Sequence, residues 1–222
     1  MDSKRLTLFA GHYGSGKTNI AVNYALYLAR EGKRVCIADL DIVNPYFRTK
    51  DSERELNDAG ITLVSPRYAN SNVDLPALPA ESYRLVQDRS TYGVMDIGGD
   101  DRGAYALGRF ADAIKAEGDY RMAFVVNCHR PLTSTVEDAI EIMREIEAAC
   151  GLKFTCIVNN SNLGPETTAD TVRSSLDFVK RLSEATGLPV WMHTAVESVA
   201  DELTELTVLP LTLQKKIFDL PV

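Results

Sequence analysis

The stretch Leu6-Thr7-Leu8-Phe9-Ala10-Gly11-His12-Tyr13-Gly14-Ser15-Gly16-Lys17-Thr18 decides the fold. Leu6 to Ala10 is a short apolar run of the kind that forms a buried strand. Gly11 to Thr18 then gives Gly, four residues, Gly-Lys-Thr, the spacing of a phosphate-binding loop. Glycines let the backbone curl until several N–H groups share one concavity, and such a concavity holds phosphate oxygens. Lys17 adds a fixed positive charge near the phosphates, and the Thr18 hydroxyl is placed to bind Mg2+. Beyond Thr18, the residues Ile20, Ala21, Tyr24, Ala25 and Leu28 recur at helical spacing. The positive end of a helix opening at Lys17 therefore faces the same spot.

Outward from this unit, apolar runs alternate with amphipathic ones. Strands are expected at Arg34–Asp39, Ile61–Val64, Tyr92–Ile97, Met122–Asn127, Phe154–Asn159 and Val190–Met192. Helices are expected over Lys50–Asn57, Glu81–Arg89, Ala104–Glu117, Thr133–Cys150, Thr167–Thr186, Val196–Leu206 and Leu213–Leu220. The run Ser65–Pro79, with three prolines, reads as a loop: a surface connection or a partner or substrate loop. Strands alternating with helices imply an α/β fold, a mostly parallel twisted sheet with helices on both faces, in three layers. No linker, repeat or low-complexity tract interrupts the chain, so residues 1–222 are expected to form a single nucleotide-binding domain.

Two strand ends carry carboxylates. The second strand runs into Asp39-Leu40-Asp41, and ligands of open α/β sheets sit at the carboxyl ends of strands. The fourth ends in Asp96-Ile97-Gly98-Gly99-Asp100-Asp101. A strand-end Asp followed by Gly-Gly suits a Mg2+-holding carboxylate next to a backbone that must come close to a phosphate.

Composition narrows the rest. The formal charge is −7 over 222 residues, which disfavours nucleic acid as a partner, because phosphate contacts need clustered Lys and Arg. No apolar run is long enough to span a bilayer, no signal peptide is evident, and the mixed Leu213–Leu220 segment is too short for a membrane anchor. The four cysteines form no C-x-x-C pair and read as buried thiols of a reducing, cytoplasmic setting. His129 and His193 are isolated near strand ends and read as structural residues.

In their order along the chain, these motifs resemble the MinD/ParA-like (CobQ/CobB/MinD/ParA, SIMIBI) class of P-loop ATPases. They are the glycine loop, Asp-x-Asp after strand two, Asp-Ile-Gly-Gly, and the strand-end Val-Asn-Asn. The resemblance spans roughly Leu6 to Pro189. It implies that Gly11, Gly14, Ser15, Gly16, Lys17, Thr18 and Asn19 hold the phosphates of ATP or ADP. It implies that Lys17 and Asp41 are catalytic, Asp41 orienting the attacking water. Thr18, Asp39 and Asp96 would hold Mg2+ and its water shell, and Asn159 with Asn160 would read the base. A guanine site of this kind carries Asn-Lys-x-Asp, whereas Asn159-Asn160-Ser161-Asn162 has no Asp, which favours ATP.

One departure stands out. Many members place a second lysine right after the first glycine, where it reaches a dimer partner's phosphates; here that position is His12, followed by Tyr13. Histidine is shorter and mostly uncharged at neutral pH. Arg48 is a candidate substitute, although a solvated or paired arginine is the plainer reading. Tyr46 and Phe47 are either nucleotide-responsive partner contacts or core anchors.

The expected activity is slow Mg2+-dependent ATP hydrolysis acting as a switch through a nucleotide-dependent homodimer, with a further protein or small-molecule partner unnamed. Two alternatives stay open. One is an ATP-dependent small-molecule kinase or ligase of the dethiobiotin-synthetase type, with Ser65–Pro79 and His129-Arg130 lining an acceptor pocket. The other is a metal-insertion accessory ATPase.

Overall fold

A computed structural model describes residues 1–41, 49–65, 85–99 and 101–213 of the chain, without the side chains of 50, 51, 101 and 102. The expectations for Tyr46, Phe47, Arg48, the stretch 66–79, the start of the helix at 81 and the final helix to Leu220 lie outside these residues.

The strands are β1 (Leu6–Ala10), β2 (Val35–Leu40), β3 (Thr62–Val64), β4 (Tyr92–Ile97), β5 (Tyr120–Val126), β6 (Cys156–Asn159), β7 (Val190–Val196) and β8 (Val208–Leu211). They form one sheet in the order β3-β2-β4-β1-β5-β6-β7-β8. Every neighbouring pair is parallel. The helices are α1 (Lys17–Arg30), α2 (Glu53–Asp58), α3 (Asp101–Gly108), α4 (Ala111–Glu117), α5 (Val136–Cys150), α6 (Ala169–Ser174), α7 (Leu176–Thr186) and α8 (Glu197–Ala200). The expected α/β architecture is what the structure shows.

Alternation along the strands sorts the core into two layers. Leu6, Leu8 and Ala10 face one side, with Met95, Ile97, Phe124 and Val126, beneath Leu107, Ile114, Ala139 and Leu182 of α3, α4, α5 and α7. Phe9, Ile37, Val94, Val125 and Val158 face the other, beneath Ile20, Ala21, Tyr24 and Leu28 of α1. Burial on both faces explains why β1 is apolar at every position but Thr7.

Four expectations need correction. The helix expected over Thr167–Thr186 is two helices, starting at Ala169 behind a Thr168–Thr171 capping box and broken at Ser175. The Ser175 hydroxyl bonds the Val172 carbonyl and accepts from Asn159, which competes with a continuous helix. The helix expected over Ala104–Glu117 starts earlier, at Asp101, and divides after Gly108, which packs against the Ala149 and Cys150 carbonyls. The third helix expected to be long starts at Val136, where the Thr135 hydroxyl caps the Asp138 N–H. Val196–Leu206 is helical only over Glu197–Ala200, and the chain then enters β8, a strand without a sequence expectation. Pro210 hides that strand by pattern, yet β8 is at the sheet's edge, where a missing N–H is tolerated.

Candidate functional site

Strand β1 lies between β4 and β5. The loop that follows it therefore emerges at the carboxyl edge between two other strand ends, the position where open parallel sheets take ligands. The glycines of that loop are there for close approach. A Cβ on Gly11 would collide with the Val125 carbonyl, and one on Gly16 with the Asn160 amide. Gly16 also has φ +90°, a left-handed conformation that strains other residues. Lys17 is 5% exposed, and its Nζ donates to the His12 carbonyl at 3.1 Å, folding the side chain back across the loop. The His12 ring turns onto the Tyr13 carbonyl.

The carboxylates gather beside this loop because of strand register. Asp39 pairs with Asp96 across β2 and β4, and Asp96 pairs with Phe9 across β4 and β1. Two residues on from Ile37 and Val94, both acids face the α1 side. Asp39 is buried, and its Oδ1 accepts the Asp41 N–H at 3.0 Å, which fixes the turn that carries the buried Asp41.

Asp96 is fully buried. Its Oδ2 accepts from the Thr49 hydroxyl at 3.1 Å, whereas Oδ1 has no hydrogen-bond partner. Burial pushes its carboxyl up to about 6; the Thr18 hydroxyl, Lys17 and Thr49 oppose this, and the charge of Asp41 adds to it.

This donor set fits Mg2+. Hard oxygens converge: the Thr18 hydroxyl and the unpartnered Asp96 Oδ1, with Asp39 and Asp41 adjacent. Among the described residues no cluster of three or more His, Cys, Asp or Glu cages a metal. Mg2+ is commonly held by one or two carboxylates with water and substrate phosphates, and Thr18 with Asp96 offers a set of that size. Ser15 Oγ is likewise buried without a partner.

Gly98-Gly99 follows β4 and leans on the phosphate loop. A Cβ on Gly99 would lie 2.6 Å from the Tyr13 amide nitrogen and 2.9 Å from Lys17 Nζ. The strand end bearing Asp96 is thus in direct contact with the loop bearing Lys17.

Asn159 and Asn160 sit elsewhere than expected of base readers. The Asn159 side chain is fully buried, with its Nδ2 against Ser175 Oγ and His193 Nδ1 and its Oδ1 accepting from the Ser161 N–H. Asn160 Nδ2 donates to the Ser15 carbonyl at 2.6 Å, and its Oδ1 accepts from Thr194 at 2.6 Å. Both amides hold the fold, and Asn160 clasps the phosphate loop from β6. Asn19, half-buried on α1, accepts from Asn23 through its carbonyl. Asn23 in turn pairs with both backbone groups of Thr212 after β8.

Thr49 and Thr194 were not read as site residues. Each is an isolated threonine whose partner lies on a distant segment, and no local pattern marks it. The four cysteines are free, and burial pushes Cys36 and Cys156 up to about 11, which makes them inert thiols. Among the described residues no helix is long and apolar enough to cross a membrane.

Comparison with known proteins agrees with this geometry. The profile of the CobQ/CobB/MinD/ParA nucleotide binding domain matches residues 6–175. No curated protein sequence matches significantly. Among solved structures, cell division protein FtsY of Thermotoga maritima superposes with a TM-score of 0.61 at 15% identity, over 90% of this chain and 64% of that one. The signal recognition particle receptor FtsY of Elizabethkingia anophelis gives 0.58 at 18%, over 94% and 61%. The signal recognition particle 54 kDa protein of Aeropyrum pernix K1, solved with GDP, gives 0.55 at 18%, over 86% and 41%. The chain thus spans less than two thirds of each of these structures, and at such identities the likeness concerns the fold.

Proposed function

The chain belongs to the CobQ/CobB/MinD/ParA nucleotide-binding family, and on that premise we propose that it binds ATP with Mg2+ and hydrolyses it slowly as a conformational switch. The observation that carries this reading is the buried Asp96 Oδ1, left without a partner beside Thr18 and Lys17. Burial pushes this carboxyl up despite Lys17, Thr18 and Thr49, so its charge costs the fold, and the oxygen without a hydrogen bond is open to a cation.

The residues divide the work as follows. Loop amides and Lys17 hold and neutralise the phosphates, which is most of what phosphoryl transfer asks of a protein. Thr18 and Asp96 would hold Mg2+, with Asp39 steadying its water, and the bound ion would neutralise charge on the phosphates. Asp41, pinned by Asp39, orients the attacking water. Gly99, resting on Tyr13 and Lys17, reports the state of the phosphates to α3, and its release after hydrolysis is the switch.

The choice of ATP over GTP follows the resemblance to MinD/ParA-like ATPases and not a base contact, because the Asn159 and Asn160 amides are engaged within the fold. A homodimer is supported by exposed apolar residues at the same edge: Tyr13 (55%), Leu132 (56%) and Leu163 (48%). Four free thiols, all but Cys128 buried, fit a reducing cytoplasm.

The test is turnover and gel filtration. ATP hydrolysis should require Mg2+ and vanish in Lys17→Ala, and Asp41→Ala should trap a larger species with ATP. An unchanged elution volume would argue against the nucleotide-controlled dimer. Turnover that rises only with an added small-molecule acceptor would point to phosphate transfer instead.

A further inference from the structure

The loop after β5 puts a second cation over the phosphate loop. Arg130 stands with its Nε 3.9 Å from where a Cβ of Gly14 would be, and no other heavy atom comes within 4 Å of that point. Gly14 is in the middle of the Gly11–Thr18 arc, so the guanidinium lies against the phosphate loop.

Its backbone is held there by the fold. β5 is the direct neighbour of β1, so its following loop runs beside the phosphate loop. Asn127, fully buried, anchors that loop. Its Nδ2 donates to the Asn162 carbonyl, and its Oδ1 accepts from the His129 N–H. Its carbonyl accepts from the Arg130 N–H and from the Thr133 hydroxyl. Pro131 keeps Arg130 extended, at φ −95° and ψ 135°. Among the described residues no carboxylate pairs with Arg130. In a chain with net charge −7, a cation held without an ion pair over an anion-binding arc calls for a reason.

We propose that Arg130 is a phosphate-contacting residue of this same chain, a second cation at the phosphate loop beside Lys17. The inference rests on the nucleotide reading above and adds a residue outside the glycine loop to it. A planar guanidinium can contact two phosphate oxygens at once, and its charge persists at every pH of interest.

The experiment is titration of the full chain with fluorescent (N-methylanthraniloyl) ATP and GTP, with Mg2+, across a series of NaCl concentrations. Wild type, Lys17→Ala, Arg130→Gln and Arg130→Lys are compared. Arg130→Gln should raise Kd about tenfold and flatten its dependence on salt, because one phosphate-paired cation is gone. Arg130→Lys, which keeps the charge without the two-pronged contact, should weaken binding less than Arg130→Gln and keep the wild-type salt dependence, a split that a purely packing role would not predict. Thermal midpoints should match wild type in both Arg130 variants, since the side chain is exposed and forms no ion pair. If Lys17→Ala abolishes binding while Arg130→Gln binds as wild type does, the Arg130 inference is wrong and the nucleotide reading stands. If Lys17→Ala binds normally, the nucleotide reading itself fails.

Discussion

Arg5 and Asp96 are both buried charged residues, one just before β1 and the other near the end of β4, and their surroundings differ. The Arg5 guanidinium pairs with Glu117 through Nε. It donates to the carbonyls of Leu85, Val86, Asp88 and Thr91 through its two other nitrogens. Glu117 is paired again with Arg89 at 3.2 Å. At the opposite edge, Asp96 has one oxygen on Thr49 and one on nothing. It is the only charged side chain with a buried unpartnered atom among the described residues; the others, Thr7, Ser15, Tyr24 and Trp191, are neutral. The amino edge of the sheet uses buried charge to stitch residues 85–91 onto the fold. The carboxyl edge leaves one carboxylate oxygen unpartnered, and under the proposed function that difference separates a structural buried ion from a ligand-directed one.

The sharpest way to break this comparison is to remove each charge. Arg5→Met should destabilise the protein by about 3–5 kcal/mol in urea unfolding, since it leaves four carbonyls without their donor and Glu117 with Arg89 alone. Nucleotide affinity of the folded fraction should not change. A loss below 1 kcal/mol would mean that the network contributes little. Asp96→Asn should act in the opposite sense, stabilising the nucleotide-free protein at pH 7 by about 1–3 kcal/mol, because a desolvated charge is removed. The same variant should lose the gain in ATP affinity that Mg2+ confers. If Asp96→Asn is less stable than wild type, the carboxylate belongs to the fold.

A third variant probes the clasp between the two loops. Gly16→Ala should cost about 1–3 kcal/mol, from left-handed strain and collision with the Asn160 amide. In an Asn160→Ala background part of that cost should disappear, giving a coupling energy of about 0.5–2 kcal/mol. Strict additivity would show that the two residues act independently.

The smallest effect concerns His193. Burial holds its imidazole below the ordinary value, and its Nδ1 faces the Asn159 amide. Since the folded state binds the proton less readily, this contribution is complete above the unfolded pKa of about 6.5 and is lost as pH falls through the lower folded value. The stability difference between wild type and His193→Gln should therefore shrink on acidification below pH 6.5. Taking the difference cancels Asp96, whose raised value acts with the opposite sign over an overlapping range. A difference independent of pH would show that folding does not lower the proton affinity of His193.

Much of this molecule was legible in its sequence for local reasons. Gly11 to Thr18 are contiguous, and their residue types and spacing are the chemistry itself. Asp39 and Asp96 were legible because each ends an apolar run that must be a strand, and strand ends converge in a parallel sheet. The breaks at Ser175 and after Gly108 were not, because each depends on a side chain or carbonyl from another segment. The roles of Thr49, Asn160 and Thr194 were hidden for the same reason: each bonds a partner more than thirty residues away. Asn159 was misread because a strand-end amide looks identical in sequence whether it faces a ligand or, as here, Ser175 and His193. Strand β8 was missed because Pro210 breaks its pattern, and only its place at the edge of the sheet makes that proline acceptable.

The most direct measurement is isothermal titration calorimetry of the folded chain with ATP and with GTP, in the presence and absence of Mg2+, against Lys17→Ala. The account predicts saturable one-site binding of ATP that strengthens with Mg2+ and disappears in Lys17→Ala. Folded wild-type protein that takes up neither nucleotide with Mg2+ present would contradict it.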